Sequence, residues 1–550
     1  MRAGRLMVSA AGSGHGKSVV TMGLLQAMKE RGIALQSFKC GPDYIDPGFH
    51  ERVLGVPCRN LDTFLMGEED VLEEVSDAEK AGLFALAEGA MGLFDGLGGG
   101  GAHSAFSTAL LCGMPVVAVL DAGREEDCAK QLKRLLERDT EGAIRGFLIN
   151  RCREEEYPSV IQSIRDTLSL NSPAEMTFPF SGGGNKTRRM QDRIHEECRE
   201  KGTGAGYVCA CGFLPPLPEA VFPSRHLGLV GASETEGFAR RIMTIANELE
   251  RAGCVDAVLA LGQKEVFPYG KTLKPLEAGA GSPDLRSGAG RKMREATAPA
   301  AADHYEMREA TAPAAVHCDM RENTAPASAH YVPEAVSEKE KRCRIAVARD
   351  HAFSFVYQRS LENLERAGAQ LVFFSPLDDP CLPEGTDGLY LPGGYPELYA
   401  RDLEENRSMR ISVRDAVIGG MPTVAECGGF LYLGEELCGE DGRPCKMAGV
   451  LRGRASKKDH LVRFGYLELM QERGDSLLFR EGETVHAHEF HYWDTTVPGD
   501  DLLALKPSKN REWRCGFTGP KLYAAFPHLY LSAQRAERFV GACLAPILLR

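Results

Sequence analysis

Two short stretches combine residue types at spacings that can do chemistry. The first is S-A-A-G-S-G-H-G-K-S, Ser9 to Ser18. Gly12, Gly14 and Gly16 let the backbone curl so that N–H groups along Gly12, Ser13, Gly14, His15 and Gly16 face one anion. Lys17 can reach the outer phosphates of a nucleotide, and the Ser18 hydroxyl can take a place on magnesium. The strict pattern G-x-x-x-x-G-K-[ST] fails because Ala11 stands at its first glycine, so S-G-x-G-K-S is the better description. The second stretch is Glu426-Cys427-Gly428-Gly429. A cysteine between a strand and a helix, flanked by glycines, is a nucleophile elbow. The helix start is expected to lower the thiol pKa, and the small neighbours admit a substrate carbonyl. The amides of Gly393 and Gly394, with that of Gly428, are the natural oxyanion donors. The base must be a histidine from elsewhere, and two stretches compete: His486 to Tyr492, and Ala524 to Tyr530. His488-Glu489-Phe490-His491 does not match H-E-x-x-H, so zinc hydrolysis is not supported.

Acidic residues gather near the first stretch. Glu88 ends an apolar run and enters the glycine-rich segment Gly89 to Gly96, and Asp43 and Asp46 lie in the run Pro42 to His50. Carboxylates beside a phosphate loop suit Mg²⁺, which prefers oxygen ligands and bridges nucleotide phosphates. Asp43 and Asp46 are candidate metal ligands or groups that position a reacting carboxylate. Asp121, at another strand end, has the ordinary reading of a solvent-facing loop acid or helix cap.

These residues need elements to place them. Leu6-Met7-Val8 reads as a buried strand, and Ser18 to Arg31 as a helix with Val20, Leu24 and Met28 on one face, closed by Gly32. Further strands are expected at Ala34–Phe38, Leu83–Ala87, Val116–Leu120, Ile144–Ile149 and Tyr207–Phe213. Helical patterns between most of them imply a parallel sheet covered on both faces, with ligands at the carboxyl ends of the strands. Later in the chain, Arg344–Ala348, Asp387–Leu391 and Met421–Ala425 begin a second α/β unit.

At 550 residues the chain is too long for one core. We expect domains at 1–262 and 343–550. Between them, 263–342 is rich in Ala, Pro, Glu and Gly and repeats a unit at Met293, Met307 and Met320. It reads as a disordered linker expanded by duplication. The formal charge of −12 argues against a general nucleic-acid binder. No signal-peptide form is seen, and nothing approaches the roughly 18 apolar residues of a membrane helix. Seventeen cysteines without framework spacing read as reduced thiols of a cytoplasmic protein, with Cys209-x-Cys211 in the core.

Longer motifs give a resemblance. K-C-G-P-D-Y-I-D-P-G-F-H (Lys39–His50), R-N-L-D-T (Arg59–Thr63), E-G-A-M-G-L-F-D-G (Glu88–Gly96) and P-S-R-H-L-G-L-V (Pro223–Val230) resemble the cobyrinic acid a,c-diamide synthase family. The resemblance implies an α/β fold of two doubly wound parallel-sheet domains, a P-loop ATPase similar to dethiobiotin synthetase and a class I glutamine amidotransferase. It implies an ATP-dependent carbon–nitrogen ligase taking its nitrogen from glutamine, which amidates the c and a acetates of cobyrinic acid through acyl phosphates. Carried over to this chain, Cys427 and His528 form the glutaminase pair, with His491 the second choice of base. No acid follows His528 within two positions, so the third triad member of other class I enzymes is missing. Ser18, Asp46 and Glu88 would hold Mg²⁺, and Asp43, Tyr44, Ile45, Asp46 and Asp95 would position the substrate acyl phosphate. The implied partners are cobyrinic acid, glutamine and ATP, without nucleic acid or membrane, and a homodimer is one expected assembly. The chain departs from the family at Ala122–Asp127, at Leu168–Gly206 and at His486-Ala487. Two alternatives stand beside this reading. One is amidation of another tetrapyrrole acid, such as hydrogenobyrinic acid or nickel-sirohydrochlorin; the other is a P-loop ATPase switch with a degenerate amidotransferase domain.

Overall fold

A computed structural model describes residues 4–97, 101–168, 208–218, 232–263, 343–507 and 511–545. Residues 264–342 of the expected linker, the motif Pro223–Val230 and residues 169–206 lie outside the described residues.

The first half is built on seven parallel strands: β1 (Arg5–Ala10), β2 (Leu35–Cys40), β3 (Cys58–Leu61), β4 (Phe84–Glu88), β5 (Val116–Asp121), β6 (Ile144–Asn150) and β7 (Cys209–Leu214). Their order is β3-β2-β4-β1-β5-β6-β7. The strands β1, β2, β4 and β5 are buried along their whole length between two helical layers, and β2 buries Gln36, Ser37 and Lys39 among its apolar residues. β1 is central, bonded to β4 on one side and β5 on the other. The loops that follow β1, β2, β4, β5 and β6 therefore open on one edge of the sheet. The helix α1 (Lys17–Glu30) follows β1, one residue earlier than the spacing predicts. Gly23 lets it lie close to the helix Ala232–Arg251, where an added Cβ would meet Ile245 at 2.5 Å. Strand β3 was hidden in the sequence. It has four residues, and two of them, Arg59 and Asn60, are polar side chains turned to contacts rather than to the core.

In the second half β8 (Cys343–Ala348), β10 (Ala369–Phe374), β11 (Gly388–Leu391) and β13 (Thr423–Glu426) form a sheet with Leu522–Ala525 and Phe517–Gly519, in the order β10-β8-β11-β13-522–525-517–519. All its pairings are parallel except the last. Beside it, β9 (Phe353–Phe355) pairs with β12 (Gly393–Gly394). The sequence reading did not foresee the five-stranded antiparallel sheet of 463–471, 484–491, 502–506, 511–515 and 528–529. It sets His488 directly across from His528.

Both halves belong to one compact unit. Helix α3 (Gly67–Lys80) presents Glu74, only 1 % exposed, to Arg359, only 2 % exposed, at 2.7 Å, and Arg59 adds a second cation at 3.0 Å. Arg59 also binds Glu362, Tyr466 Oη donates to Asp62 at 2.9 Å, and Tyr530 Oη donates to Asp70 at 2.6 Å. Arg359→Ala would leave Glu74 buried with half its charge compensation. We expect a loss of about 3–5 kcal/mol, read as a lower urea midpoint.

No disulfide joins the cysteines among the described residues, and of these only Cys381 and Cys438 are not buried. Cys209 and Cys211 lie in the core as expected. No described helix is long and apolar enough to cross a membrane.

Candidate active site

The loop after β1 is held from outside by its carbonyls. His15 Nδ1 and Lys17 Nζ bind Gly12 O at 3.0 and 2.9 Å, Arg124 donates to Ser13 O at 2.9 Å, Arg151 to Gly14 O at 3.4 Å, and Asn150 to His15 O at 3.0 Å. With the carbonyls engaged outward, the curl leaves its amides for an anion at the start of α1. Burial lowers the His15 pKa, which keeps the ring neutral and Nδ1–H a donor to Gly12. Gly14 and Gly16 have φ of 78° and 89°, where only glycine is relaxed. At Gly16 an added Cβ would also stand 2.1 Å from Asn150 Nδ2. Gly16→Ala should therefore weaken ATP binding by about 10²-fold or more, checked by isothermal titration, because both φ and the Asn150 clamp oppose it.

Both arginines of this clamp are anchored by Asp121, which is fully buried. Arg151 Nε donates to Asp121 Oδ1 at 2.8 Å and Arg124 Nε to Oδ2 at 3.2 Å. The expectation of a solvent-facing acid is thus corrected: Asp121 ties the loops after β5 and β6 to the phosphate loop. Ala122–Asp127 supplies Arg124 for this role.

The acids at the other strand ends meet. Ser18 Oγ donates to Glu88 Oε1 at 2.6 Å, and Lys39 Nζ donates to the same oxygen at 2.7 Å and to Asp46 Oδ2 at 2.5 Å. Asp43 Oδ2 is 3.8 Å from Lys39 Nζ, while Asp43 Oδ1 accepts from the amides of Ile45 and Asp46. Ile45 opens α2 (Ile45–Phe49) and packs on the core of the first half. Burial, then the Asp46 charge, pushes Asp43 up to about 6; Asp46 stays low because Lys39 outweighs its burial. Lys17 Nζ donates to Gly12 O and Met91 O, and burial brings it down to about 8. Asp95 accepts from the Gly92 amide at 2.8 Å and shapes the loop opposite Lys17.

For a magnesium ion the donor set can be tested. Glu88 Oε2 is buried without a hydrogen-bond partner, beside the Ser18 hydroxyl. These two oxygen donors fit Mg²⁺. Asp46 is committed to Lys39 instead. Among the described residues no group of three or more His, Cys, Asp or Glu could hold a metal alone.

The second centre lies where β13 meets the helix Gly428–Leu433. Cys427 has φ 44° and ψ −100°, a strained left-handed backbone that sets its side chain at a sharp turn. Close packing makes the neighbouring glycines obligatory. An added Cβ would lie 2.1 Å from Leu391 O at Gly429, 2.0 Å from Ala352 O at Gly394, and 3.0 Å from Gly394 N at Gly428. At Gly393 it would meet His528 Cε1 at 2.2 Å, so the His528 ring lies against strand β12. The structure thus brings Cys427, His528, Gly393, Gly394 and Gly428 together.

One electrostatic expectation is reversed. Burial pushes the Cys427 thiol well up, with Glu397 and Glu489 adding to it. The helix that follows has six residues, too short a dipole to overcome this. The thiol is therefore neutral at rest and must hand its proton to a base. Burial lowers His528 to about 3, with His488 and His491 adding to the effect, so its ring is neutral and able to accept. His491 is engaged elsewhere. Its Nε2 is 2.9 Å from Glu489 Oε1, and its ring stacks on Phe526 at 3.8 Å.

An acid does stand near His528, from an unexpected direction. Glu426 Oε2 is 3.8 Å from His528 Nδ1, which has no hydrogen-bond partner. Burial raises Glu426 to about 8; its Oε1 accepts from the Leu529 amide at 3.0 Å and Oε2 from Tyr390 Oη at 3.2 Å. A search downstream of His528 misses it, because Glu426 precedes the nucleophile and arrives through the sheet. Glu426→Gln should lower the glutaminase kcat by about 10²-fold with little change in the glutamine KM.

Residues 344–536 match the family profile described as "CobB/CobQ-like glutamine amidotransferase domain". A cobyrinate a,c-diamide synthase of Caldanaerobacter subterraneus subsp. tengcongensis is 29% identical over 544 residues, 98% of each chain. The synthase of the same name from Salmonella typhimurium is 28% identical over 537 residues, 96% of this chain and 95% of that one. Among solved structures, MinD cell division protein from Aquifex aeolicus covers 49% of this chain and all of its own, at 11% identity and a TM-score of 0.29. Along nearly its whole length the chain is thus similar to cobyrinate a,c-diamide synthases, with a CobB/CobQ-like glutamine amidotransferase domain in its second half.

Proposed function

We propose that this protein amidates the c and a acetates of cobyrinic acid, using ATP and glutamine, through acyl-phosphate intermediates. Residues 1–262 activate the carboxylate and residues 343–550 release ammonia. The observation that carries the reading is that the phosphate-loop cluster and the Cys427 centre share one compact unit and converge at the Asp43-Tyr44 turn.

At the second centre His528 takes the Cys427 proton as sulfur attacks the glutamine side-chain carbonyl. The oxyanion is held by the amides of Gly393, Gly394 and Gly428. Ammonia leaves with the proton returned by His528, and water hydrolyses the thioester to glutamate. At the first centre Lys17 exchanges its two carbonyl partners for phosphate oxygens. The substrate carboxylate attacks the terminal phosphorus, ADP departs, and ammonia then displaces phosphate to leave a carboxamide. Ser18 and Glu88 would hold Mg²⁺, which when bound would supply positive charge to the transferring phosphoryl group. Lys39, with Asp43 and Asp46, positions the reacting carboxylate, and Ile45 and Asp95 fix the loops around it. Free ammonia must stay out of water, where it becomes unreactive ammonium. Such chemistry on small soluble reactants suits a cytoplasmic enzyme.

The test is mass spectrometry of cobyrinic acid incubated with the protein, ATP, Mg²⁺ and glutamine. Two added carboxamides are expected. Glutamine hydrolysis with cobyrinic acid untouched would overturn the substrate, and hydrogenobyrinic acid or nickel-sirohydrochlorin would be offered next.

A further inference from the structure

Tyr44 belongs to the first half, yet its ring lies in the second centre. It stacks on Phe355 (5.2 Å between centroids, 10°) and touches Tyr357 and His528 at 4.9 and 5.2 Å. Phe355 is paired in β9 with Gly393 of the oxyanion strand. The ring of Tyr44 is thus packed on the glutaminase base and on the strand that backs the oxyanion donors. Its chain neighbour Asp43 points the other way, to Lys39, which holds Glu88. Beyond the ring lies a cavity of about 410 Å³ lined by Tyr44, Pro47, Asn60, Arg349 and Ser354 among others. That volume has room for a displaced phenol ring.

The turn that aims the ring is set by one carboxylate. Asp43 Oδ1 holds the amides of Ile45 and Asp46, and Oδ2 reaches toward Lys39 at 3.8 Å, the loosest of the three acids on that ammonium. A substrate carboxylate or acyl phosphate arriving at Lys39 competes first with Asp43. Releasing Asp43 frees the turn, and with it the ring.

We infer that Tyr44 is a positioning residue that couples glutamine hydrolysis to the acyl-phosphate site. With that site empty, its ring closes the way between Cys427 and the Lys39–Glu88 cluster and confines His528. With the site filled, the Asp43 turn shifts and the ring withdraws into the neighbouring cavity. This rests on the two-centre reading under Proposed function and adds its regulation.

The experiment measures glutamate release by the full-length chain, with and without ATP and cobyrinic acid, and the glutamate formed per carboxamide. For Tyr44→Ala, hydrolysis without ATP and tetrapyrrole is expected to rise about 5-fold or more. Glutamate per carboxamide should climb well above one, because ammonia escapes into the cavity. Tyr44→Phe keeps the ring and should lie nearer to wild type in both readouts. Phe355→Ala removes the stacking partner and should uncouple in the same direction. A folded Tyr44→Ala with unchanged or lower basal hydrolysis and a ratio near one overturns the inference. If Tyr44→Ala does not fold, Tyr44→Leu decides by the same two readouts. If wild type hydrolyses glutamine but amidates no tetrapyrrole, the substrate reading fails. The basal comparison of wild type with the Tyr44 variants still decides the role of Tyr44.

Discussion

Cys427→Ser is expected to lose glutamine-dependent amidation by about 10³-fold or more, while amidation supported by ammonium salt survives within a few-fold. The physical ground is the separation of labour between the two centres. Cys427 sits at a strained elbow whose neighbours Gly394 and Gly429 cannot carry a Cβ. Serine fits that space, so the backbone and the oxyanion amides should be preserved. A hydroxyl is a far poorer nucleophile when its only base is a neutral, deeply buried His528. The first centre contains no atom of Cys427 and should use ammonia supplied from solution. Mass spectrometry of the tetrapyrrole with glutamine and with ammonium chloride reads both arms. Loss of both would mean that the halves do not work as separate centres. Retention with glutamine would remove Cys427 as the nucleophile.

Glu88→Gln should give the complementary result: amidation lost by about 10³-fold with either nitrogen source, and glutamine hydrolysis retained. Glu88 is fully buried, and its Oε1 accepts from both Ser18 and Lys39, while Oε2 has no partner. The change is nearly isosteric, so packing is kept. The amide removes the negative charge that Lys39 relies on and offers a weaker donor to Mg²⁺. A buried Lys39 left facing Asp43 and Asp46 alone would also reset the turn that bears Tyr44. ATP-dependent phosphate release with tetrapyrrole, measured beside glutamate release, separates this outcome from general unfolding. A variant that still amidates with ammonia would exclude Glu88 from the phosphoryl centre.

Together these two results would divide the reaction between the halves, with Tyr44 the contact that makes them answer to each other. The interface carries this because it is built from buried, charged partners. Arg359 with Glu74, and Arg59 with Glu74 and Glu362, fix orientation more strictly than apolar packing would.

Much of this was legible in the amino-acid order because the chemistry is local. A phosphate loop needs strand, glycines and helix in succession, so Ser9–Ser18 announced itself. The same holds for the elbow at Cys427, and short strand patterns of three to six residues gave β1, β2, β4, β5 and β6 to within a residue or two. What is non-local was not legible. Strand β3 is too short and polar to show a period, and the antiparallel sheet that sets His488 opposite His528 depends on pairing across about forty residues. Asp121 looked like an ordinary strand-end acid until Arg124 and Arg151 closed over it. Glu426 was visible only as the residue before a cysteine. That its carboxyl comes within 3.8 Å of His528, about a hundred residues later, follows from β13 lying beside Leu522–Ala525. Even the sign of the Cys427 shift was a tertiary matter: the helix start argues for a low pKa, and complete burial overrules it. By itself the sequence determined which residue types could react and the two α/β frames that carry them. Tertiary structure alone decided their neighbours, because burial, charge pairing and the docking of Tyr44 on His528 are properties of surfaces distant in the chain.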